Sequence, residues 1–337
     1  MGLKIGKPGL LTTVQDLGRY GYQRQGVVVG GAMDKVALRI ANLLVGNVEG
    51  AAALEISMQG PEIQFEEDTV FALGGADLSA SINGKPVRLW RPVLVKSGSI
   101  LRFGKPRYGN YTYLAVAGGI NVPVVMGSRA TYLHAGLGGL EGRALRSGDR
   151  LPLGASSETN RQILSALLLR DKKEADFAEV QWSPEPELLP GYAPNPVLRA
   201  RGHLEYNWFS ESSREYIWHQ KYKLLPQSDR MGYRLQGTTL ALDEEREMLS
   251  TAMSFGTVQV PPQGNPIILM ADAQTTGGYP RMIQIITADL PRLAQVQPGG
   301  LIRFEDVSLE EAQRLYYQQE KRMLALRQAI HYKLTHV

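Results

Sequence analysis

Sliding the second half of the chain over the first exposes an internal repeat, and no other feature limits the fold as strongly. At an offset of 195 residues Asp34 meets Asp229, Arg39 meets Arg234, and Gln64 in Ile63-Gln64-Phe65 meets Gln259 in Val258-Gln259-Val260. The same offset sets Asp77, after Val70-Phe71-Ala72-Leu73, over Asp272, after Pro266-Ile267-Ile268-Leu269-Met270. At 201 residues Gly98-Ser99-Ile100-Leu101-Arg102-Phe103 lies over Gly299-Gly300-Leu301-Ile302-Arg303-Phe304, a change that an indel of a few loop residues explains. Short apolar strands ending in Gly or Asp recur by chance, so one match would carry little. Several at one offset and in one order favour duplication, and the chain reads as two related β domains.

A length of 337 residues leaves room for two cores. With 36 Gly and 19 Pro, turns should be frequent, which favours strands over long helices. Runs such as Val93-Leu94-Val95 and Tyr111 to Val116 are short and bounded by Gly, Pro or Asn, as in meandering or barrel-like sheets. One helix should interrupt each barrel. In the first half it spans Asp34 to Val45, with Val36, Ile40, Leu43 and Leu44 on an apolar face, Asp34 as cap and Gly46-Asn47 as stop. Residues 155–196 differ in character: Arg161 to Lys173 has helical spacing, and prolines mix with acids after Ser183. From Ser308 a capping box (Ser308, Glu311) opens a long helix carrying Leu309, Ala312, Leu315, Met323, Leu326 and Ile330, which packs on its own domain or on a partner. The expected division is 1–154, a first barrel; 155–196, a connection; 197–307, a second barrel; and 308–337, a terminal helix.

Several chemistries are excluded. A formal charge of +4 with scattered basic residues offers no nucleic-acid stripe. Without cysteine there is no disulfide, thiolate metal site or cysteine nucleophile. Lys4, Lys7, Pro8 and three glycines break up the apolar residues of Met1 to Leu11, so neither a signal segment nor a membrane span is expected, and the cytoplasm is the expected compartment. No P-loop is present, since Gly6-Lys7 is followed by Pro8, and neither a nucleophile elbow nor a His-Glu-x-x-His helix occurs. His134, His203, His219, His331 and His336 lack ligand spacing, and no metal site is expected.

Four segments gather polar chemistry. Thr12-Thr13-Val14-Gln15-Asp16-Leu17-Gly18-Arg19 fits a site rim, and fits equally a strand-to-loop transition in which Asp16 caps a turn and pairs with Arg19. Gly30-Gly31-Ala32-Met33-Asp34 leads into the first helix, where free amides could receive an anion or Asp34 could serve only as a cap. Ser228-Asp229-Arg230-Met231-Gly232 sets a carboxylate beside a guanidinium able to grip a carboxylate or phosphate, unless Asp229 simply pairs with an arginine. Asp272-Ala273-Gln274-Thr275-Thr276-Gly277-Gly278-Tyr279-Pro280-Arg281 follows an apolar strand and collects six hydrogen-bonding side chains around two glycines, more than a tight turn needs.

Taken in order, Thr12 to Arg19, Gly31 to Asn47, Leu54-Glu55, Gly127 to Thr131, Ser228 to Gly232 and Gln274 to Arg281 resemble the signature of the family of 5-oxoprolinase C-type subunits. This is the kinase-inhibitor-antagonist (KipA) group of the biotin-dependent carboxyltransferase family. Gly30 stands where that family often has Ser. The resemblance implies a mainly β fold with some α: two tandem cyclophilin-like β-barrels and a C-terminal helix. It also implies two companion proteins of the same enzyme, one KipI-like (the B component) and one of the LamB/YcsF type (the A component). Their joint reaction would open 5-oxo-L-proline to L-glutamate with ATP, accompanied by Mg, as co-substrate and no biotin attached to this chain.

On that basis Asp34, Asp229, Arg230, Asp272, Gln274, Thr275 and Arg281 are expected to line a pocket near the KipI-like partner. Asp34, Asp229 and Asp272 are the candidate catalytic carboxylates, and Arg230 and Arg281 the anchors for a carboxylate or phosphate. Thr13, Gln15, Arg19, Arg129, Ser228, Gln259 and Thr276 complete the expected substrate contacts. Two other functions share the resemblance: sequestering a KipI-like inhibitor of a histidine kinase, and carboxyl transfer in a urea carboxylase-like system.

Overall fold

A computed structural model describes residues 2–170 and 176–335. His336, and the part of the expected helix around Lys173, lie outside the described residues. The fold is mainly β, with α-helices α1 (Lys35–Leu44), α2 (Glu158–Arg170), α3 (Glu211–His219), α4 (Leu290–Ala294) and α5 (Leu309–Thr335) among the described residues. The chain forms two compact units. The first comprises Met1–Arg19, Asp34–Gly191 and Lys321–Val337; the second comprises Tyr20–Met33 and Tyr192–Glu320.

In the first unit two six-stranded sheets share one core. One sheet carries Gly2–Lys7, Glu62–Phe65 and Ile100–Arg102; the other carries Leu11–Gln15, Ala53–Ser57, Thr69–Asp77, Tyr108–Val116 and Val93–Val95. Leu3, Ile5, Ile63 and Phe65 of the first meet Val14, Leu54, Ile56, Phe71 and Leu114 of the second, all fully buried. Alternation along a strand then turns the intervening residues to the opposite face. In the second sheet that face carries Thr13, Glu55 and Tyr113, which stand in register across three neighbouring strands. Helix α1 packs against two of this sheet's strands, Thr69–Asp77 and Tyr108–Val116. Its start is set by Asp34, whose Oδ1 accepts from the Ala37 amide at 2.9 Å. Strand Phe177–Glu179, beyond α2, pairs with Val93–Val95 at the sheet edge.

In the second unit seven strands close a barrel. The order is Val197–Gly202, Arg281–Ile285, Thr257–Gln259, Ile267–Leu269, Gly232–Gln236, Tyr222–Leu224, Leu301–Asp306 and back to Val197–Gly202. Every pairing is antiparallel except the closing one. Closure leaves no edge in this sheet. Helix α3 interrupts it between its first strand in chain order and Tyr222–Leu224, capped by Ser210, which accepts from the Ser213 amide at 3.2 Å.

Only part of the repeat's matches share even their secondary structure. Gln64 and Gln259 both lie on strands, and so do Ile100 to Arg102 and Leu301 to Arg303. Asp34, however, caps a helix, whereas Asp229 caps a tight turn by accepting from the amides of Met231 and Gly232 at 2.8 and 3.1 Å. Arg39 accordingly lies on α1 and Arg234 on a strand, so these two matches are chance agreements of residue type. The capping box at Ser308 is half formed as well. Ser308 accepts from the Glu311 amide at 3.1 Å, but the Glu311 carboxylate turns to Arg314, at 2.6 and 2.8 Å, and not back to the cap.

Candidate functional site

Besides the fork of Arg199 on Asp289, the second unit holds two arginine–carboxylate forks formed by arginines expected at the site. Arg230, 5% exposed, donates from Nε to Asp272 Oδ2 and from Nη2 to Asp272 Oδ1, both at 2.8 Å. Nη2 also donates to the carbonyl of Gly31 at 2.7 Å. The Gly30-Gly31 segment is itself pinned, because the Gly30 amide donates to Ala271 O at 3.1 Å and a Cβ at Gly30 would sit 3.3 Å from Asp272 Oδ1. Arg230 therefore pairs with Asp272 and not with its neighbour Asp229, which is exposed on its turn.

The second fork joins Arg281 to Glu205, with Nε to Oε2 at 2.8 Å and Nη2 to Oε1 at 2.6 Å. Arg281 Nη1 adds a bond to Ala252 O at 3.1 Å. Burial alone would push the Glu205 carboxyl up, but the hydrogen bonds and charge of Arg281 outweigh it and hold the group below the ordinary glutamate value. Beside the fork, burial first and the Arg281 charge second push His203 below the ordinary histidine value. Its Nδ1 accepts from the Leu204 amide at 2.7 Å, so that nitrogen carries no proton. Gln259 stands across the ladder from Arg281 and its Oε1 is buried with no partner in the protein.

The loop from Asp272 to Arg281 forms a short two-stranded antiparallel ladder with Thr251–Ala252 through Thr276–Gly277. The close approach its glycines permit is taken by the chain itself. A Cβ at Gly277 would lie 2.7 Å from Met253 Cε, and one at Gly278 would lie 3.3 Å from Met248 O. Gln274 and Thr275 are half-buried and Thr276 is exposed. Ser228 braces the turn of Asp229, accepting from the Arg234 amide at 3.0 Å.

In the first unit a second polar cluster lies around the loop after strand Leu11–Gln15. Asp16 caps its turn by accepting from the Gly18 amide at 2.8 Å. Instead of pairing with Arg19, it accepts from Ser128 Oγ at 2.7 Å and from the Arg129 amide at 2.6 Å. Arg19 is fully buried and donates to two carbonyls, Nε to Val125 O at 3.0 Å and Nη2 to Ala130 O at 2.9 Å. Arg129 Nε donates to Val122 O at 2.9 Å. Gln15 Nε2 donates to Thr13 Oγ1 and to Thr131 O, at 3.0 and 3.1 Å. On the same sheet face the Tyr113 hydroxyl donates to Glu55 Oε2 at 2.7 Å and accepts from the Asp34 amide at 2.8 Å.

Glu205 and Tyr113 escaped sequence reasoning: Glu205 carries no local signal, whereas Tyr113 does, as an ionisable residue in an otherwise apolar strand. Gly31 and Glu55 lie in segments the sequence singles out, but the contacts they make are not encoded locally. Among the described residues no group of three or more His, Asp or Glu stands close enough to hold a metal ion, and no helix is long and apolar enough to cross a membrane.

The carboxyltransferase domain, subdomain A and B, matches residues 25–306. The C-type subunit of 5-oxoprolinase from Escherichia coli (strain K12) is 45% identical over 320 residues, 95% of this chain and 96% of that protein. Its namesake in Haemophilus influenzae is 44% identical over 306 residues, 90% of each chain. Among solved structures, the Kluyveromyces lactis urea carboxylase superimposes with a TM-score of 0.86 at 30% identity, covering 96% of this chain but only 29% of that one. The chain belongs to the family of the carboxyltransferase domain, subdomains A and B, and within it to the group of 5-oxoprolinase C-type subunits.

Proposed function

We propose that this chain is one subunit of an ATP-dependent 5-oxoprolinase that opens 5-oxo-L-proline to L-glutamate. The observation that carries this reading is the end-to-end likeness, at 45% identity, to the C-type subunit of 5-oxoprolinase from Escherichia coli. A lactam is a stable amide, and transfer of the γ-phosphoryl group of ATP to its oxygen releases ADP and makes its carbon a competent electrophile for water. Water adds to that carbon, the phosphorylated oxygen departs as inorganic phosphate, and the ring C–N bond breaks with a proton passing to nitrogen, which becomes the amine of glutamate. ATP with Mg is a co-substrate, a KipI-like protein and a LamB/YcsF-type protein complete the assembly, and the cytoplasm is its compartment.

The forks of the second unit support a role in handling anions. In this reading a carboxylate or phosphate of the reaction displaces Asp272 from Arg230, and the released carboxylate becomes a base beside the bound anion. Gln274, Thr275 and Thr276 orient the substrate from the neighbouring loop.

The test is formation of ADP and glutamate from 5-oxoproline by the reconstituted assembly, with each protein omitted in turn. Turnover should vanish when this chain is left out, and full turnover without it defeats the reading. Arg230→Ala should abolish turnover while the assembly stays intact. A carboxyltransferase role has the likeness to urea carboxylase in its favour, and added avidin separates the two, because only a biotin route is inhibited.

A further inference from the structure

Helix α5, at 27 residues about 40 Å long, buries Met323, Leu326 and Ile330 within the chain. The side turned away from them carries a second ordered pattern. At about 100° per residue, Gln313, Tyr317, Glu320, Lys321, Leu324 and Gln328 fall within about 100° of one another around the helix axis. Tyr317 and Leu324 are 60% and 53% exposed, Glu320 is half-buried and the other three are exposed. Exposed Tyr316 and Tyr332 border this strip on either side. Single apolar residues on a surface mean little, but these form one stripe along one helix.

The strip is its own complement when reversed. About a point midway between Glu320 and Lys321, Tyr317 stands as far to one side as Leu324 to the other, and Gln313 as far as Gln328. One step further out, Glu310 answers His331 in the same way. Charge follows the same division: Leu309 to Glu320 holds three carboxylates and one base, whereas Lys321 to Thr335 holds four Lys or Arg side chains and no carboxylate. A parallel copy would set like charge on like. An antiparallel copy sets the acidic half of each helix on the basic half of the other. We propose that this face of α5 is the contact with a second copy of the chain, packed antiparallel about a twofold axis that passes between Glu320 and Lys321. Such a contact is isologous, so Glu320 meets Lys321, Tyr317 meets Leu324 and Gln313 meets Gln328, each twice over. An unrelated helix has no reason to match this central symmetry, and that selects the chain itself as the occupant. Glu311 takes no part, because Arg314 holds its carboxylate.

Sedimentation velocity of the unmodified full chain over a concentration series should show a monomer–dimer equilibrium. Leu324→Glu, a change at an exposed position, should raise the dissociation constant at least about tenfold with the circular dichroism unchanged. Orientation is read from disulfides, which no native cysteine confuses. Gln313→Cys and Gln328→Cys should each fail to link to itself under mild oxidation, since like positions lie about 22 Å apart along the axis. A mixture of the two variants should give the mixed disulfide dimer. A chain that stays monomeric throughout the series, self-linked dimers of either cysteine variant, or a dimer that Leu324→Glu leaves as tight as before overturns the proposal. So does a monomeric chain whose Leu324→Glu variant drops out of the reconstituted assembly, for then a companion protein covers the face.

Discussion

Each carboxylate oxygen of Asp272 lies 2.8 Å from a different nitrogen of Arg230, and the same guanidinium reaches the Gly31 carbonyl at 2.7 Å. With both side chains buried, this fork ties together three stretches of chain that are distant in sequence. Removing one member strands a charge away from water, which costs about 3–5 kcal/mol. Asp272→Ala and Arg230→Ala should each lower stability by that order, seen as a fall in the urea midpoint with an unchanged slope. The double variant should lose less than the two single losses combined, because neither charge is then left alone.

Tyr113 links two elements of the first unit, donating to Glu55 and accepting from the amide of Asp34. Burial first, and then the charges of Glu55 and Asp34, raise its pKa well above the ordinary value of 10.0. The folded state therefore keeps the hydroxyl proton in a pH range where the unfolded chain releases it. The sign follows: this contribution is complete below pH 10 and declines as the pH rises further. Tyr113→Phe should cost about 1–3 kcal/mol at neutral pH by leaving buried polar groups unsatisfied. Its stability should also fall less steeply than that of the parent between pH 9 and 11, measured by chemical denaturation at each pH.

How much of this could be read from the chain depended on the range of each interaction. Asp34 announced α1 because a cap bonds three residues ahead, and Val93–Val95 announced a strand because its neighbours are turn formers. The Asp34–Asp229 and Arg39–Arg234 matches misled because Asp caps a helix and a tight turn by the same kind of bond to nearby amides. Arg19 suggested a partner three residues away, but its partners are 106 and 111 residues away. Arg281 finds Glu205 at a separation of 76 residues. Such pairings depend on which strands meet, and no local pattern encodes that.

His203 supplies an acid-side counterpart to Tyr113. Burial, followed by the charge of Arg281, lowers its pKa below the ordinary 6.5. As the pH falls below 6.5 the unfolded chain takes up a proton that the folded chain still refuses, so stability declines with acidification. Glu205, also held below its ordinary value, adds its own loss only at lower pH, around and below 4.5. His203→Gln should flatten the decline between pH 7 and 5 and leave the decline below pH 4.5 in place, measured as thermal midpoints across that range.

Asp16 separates the effects of charge and of donor direction. Its Oδ1 accepts from the Gly18 amide and from Ser128 Oγ, while Oδ2 accepts from the Arg129 amide. All three partners are donors, and an asparagine cannot satisfy them in either orientation of its amide. With its oxygen at the Oδ1 position, its NH2 faces the Arg129 N–H, donor against donor; with its oxygen at Oδ2, two bonds are lost. Asp16→Asn should therefore cost about 1–3 kcal/mol despite its nearly unchanged shape, the range for leaving buried donors unsatisfied. Ser128→Ala leaves Asp16 its two amide bonds but also takes away the acceptor of the buried Ala130 amide, at 2.9 Å, so it too should cost about 1–3 kcal/mol. Urea denaturation of each variant beside the parent checks both, and an Asp16→Asn loss well below about 1 kcal/mol would show that the Asp16 bonds contribute little.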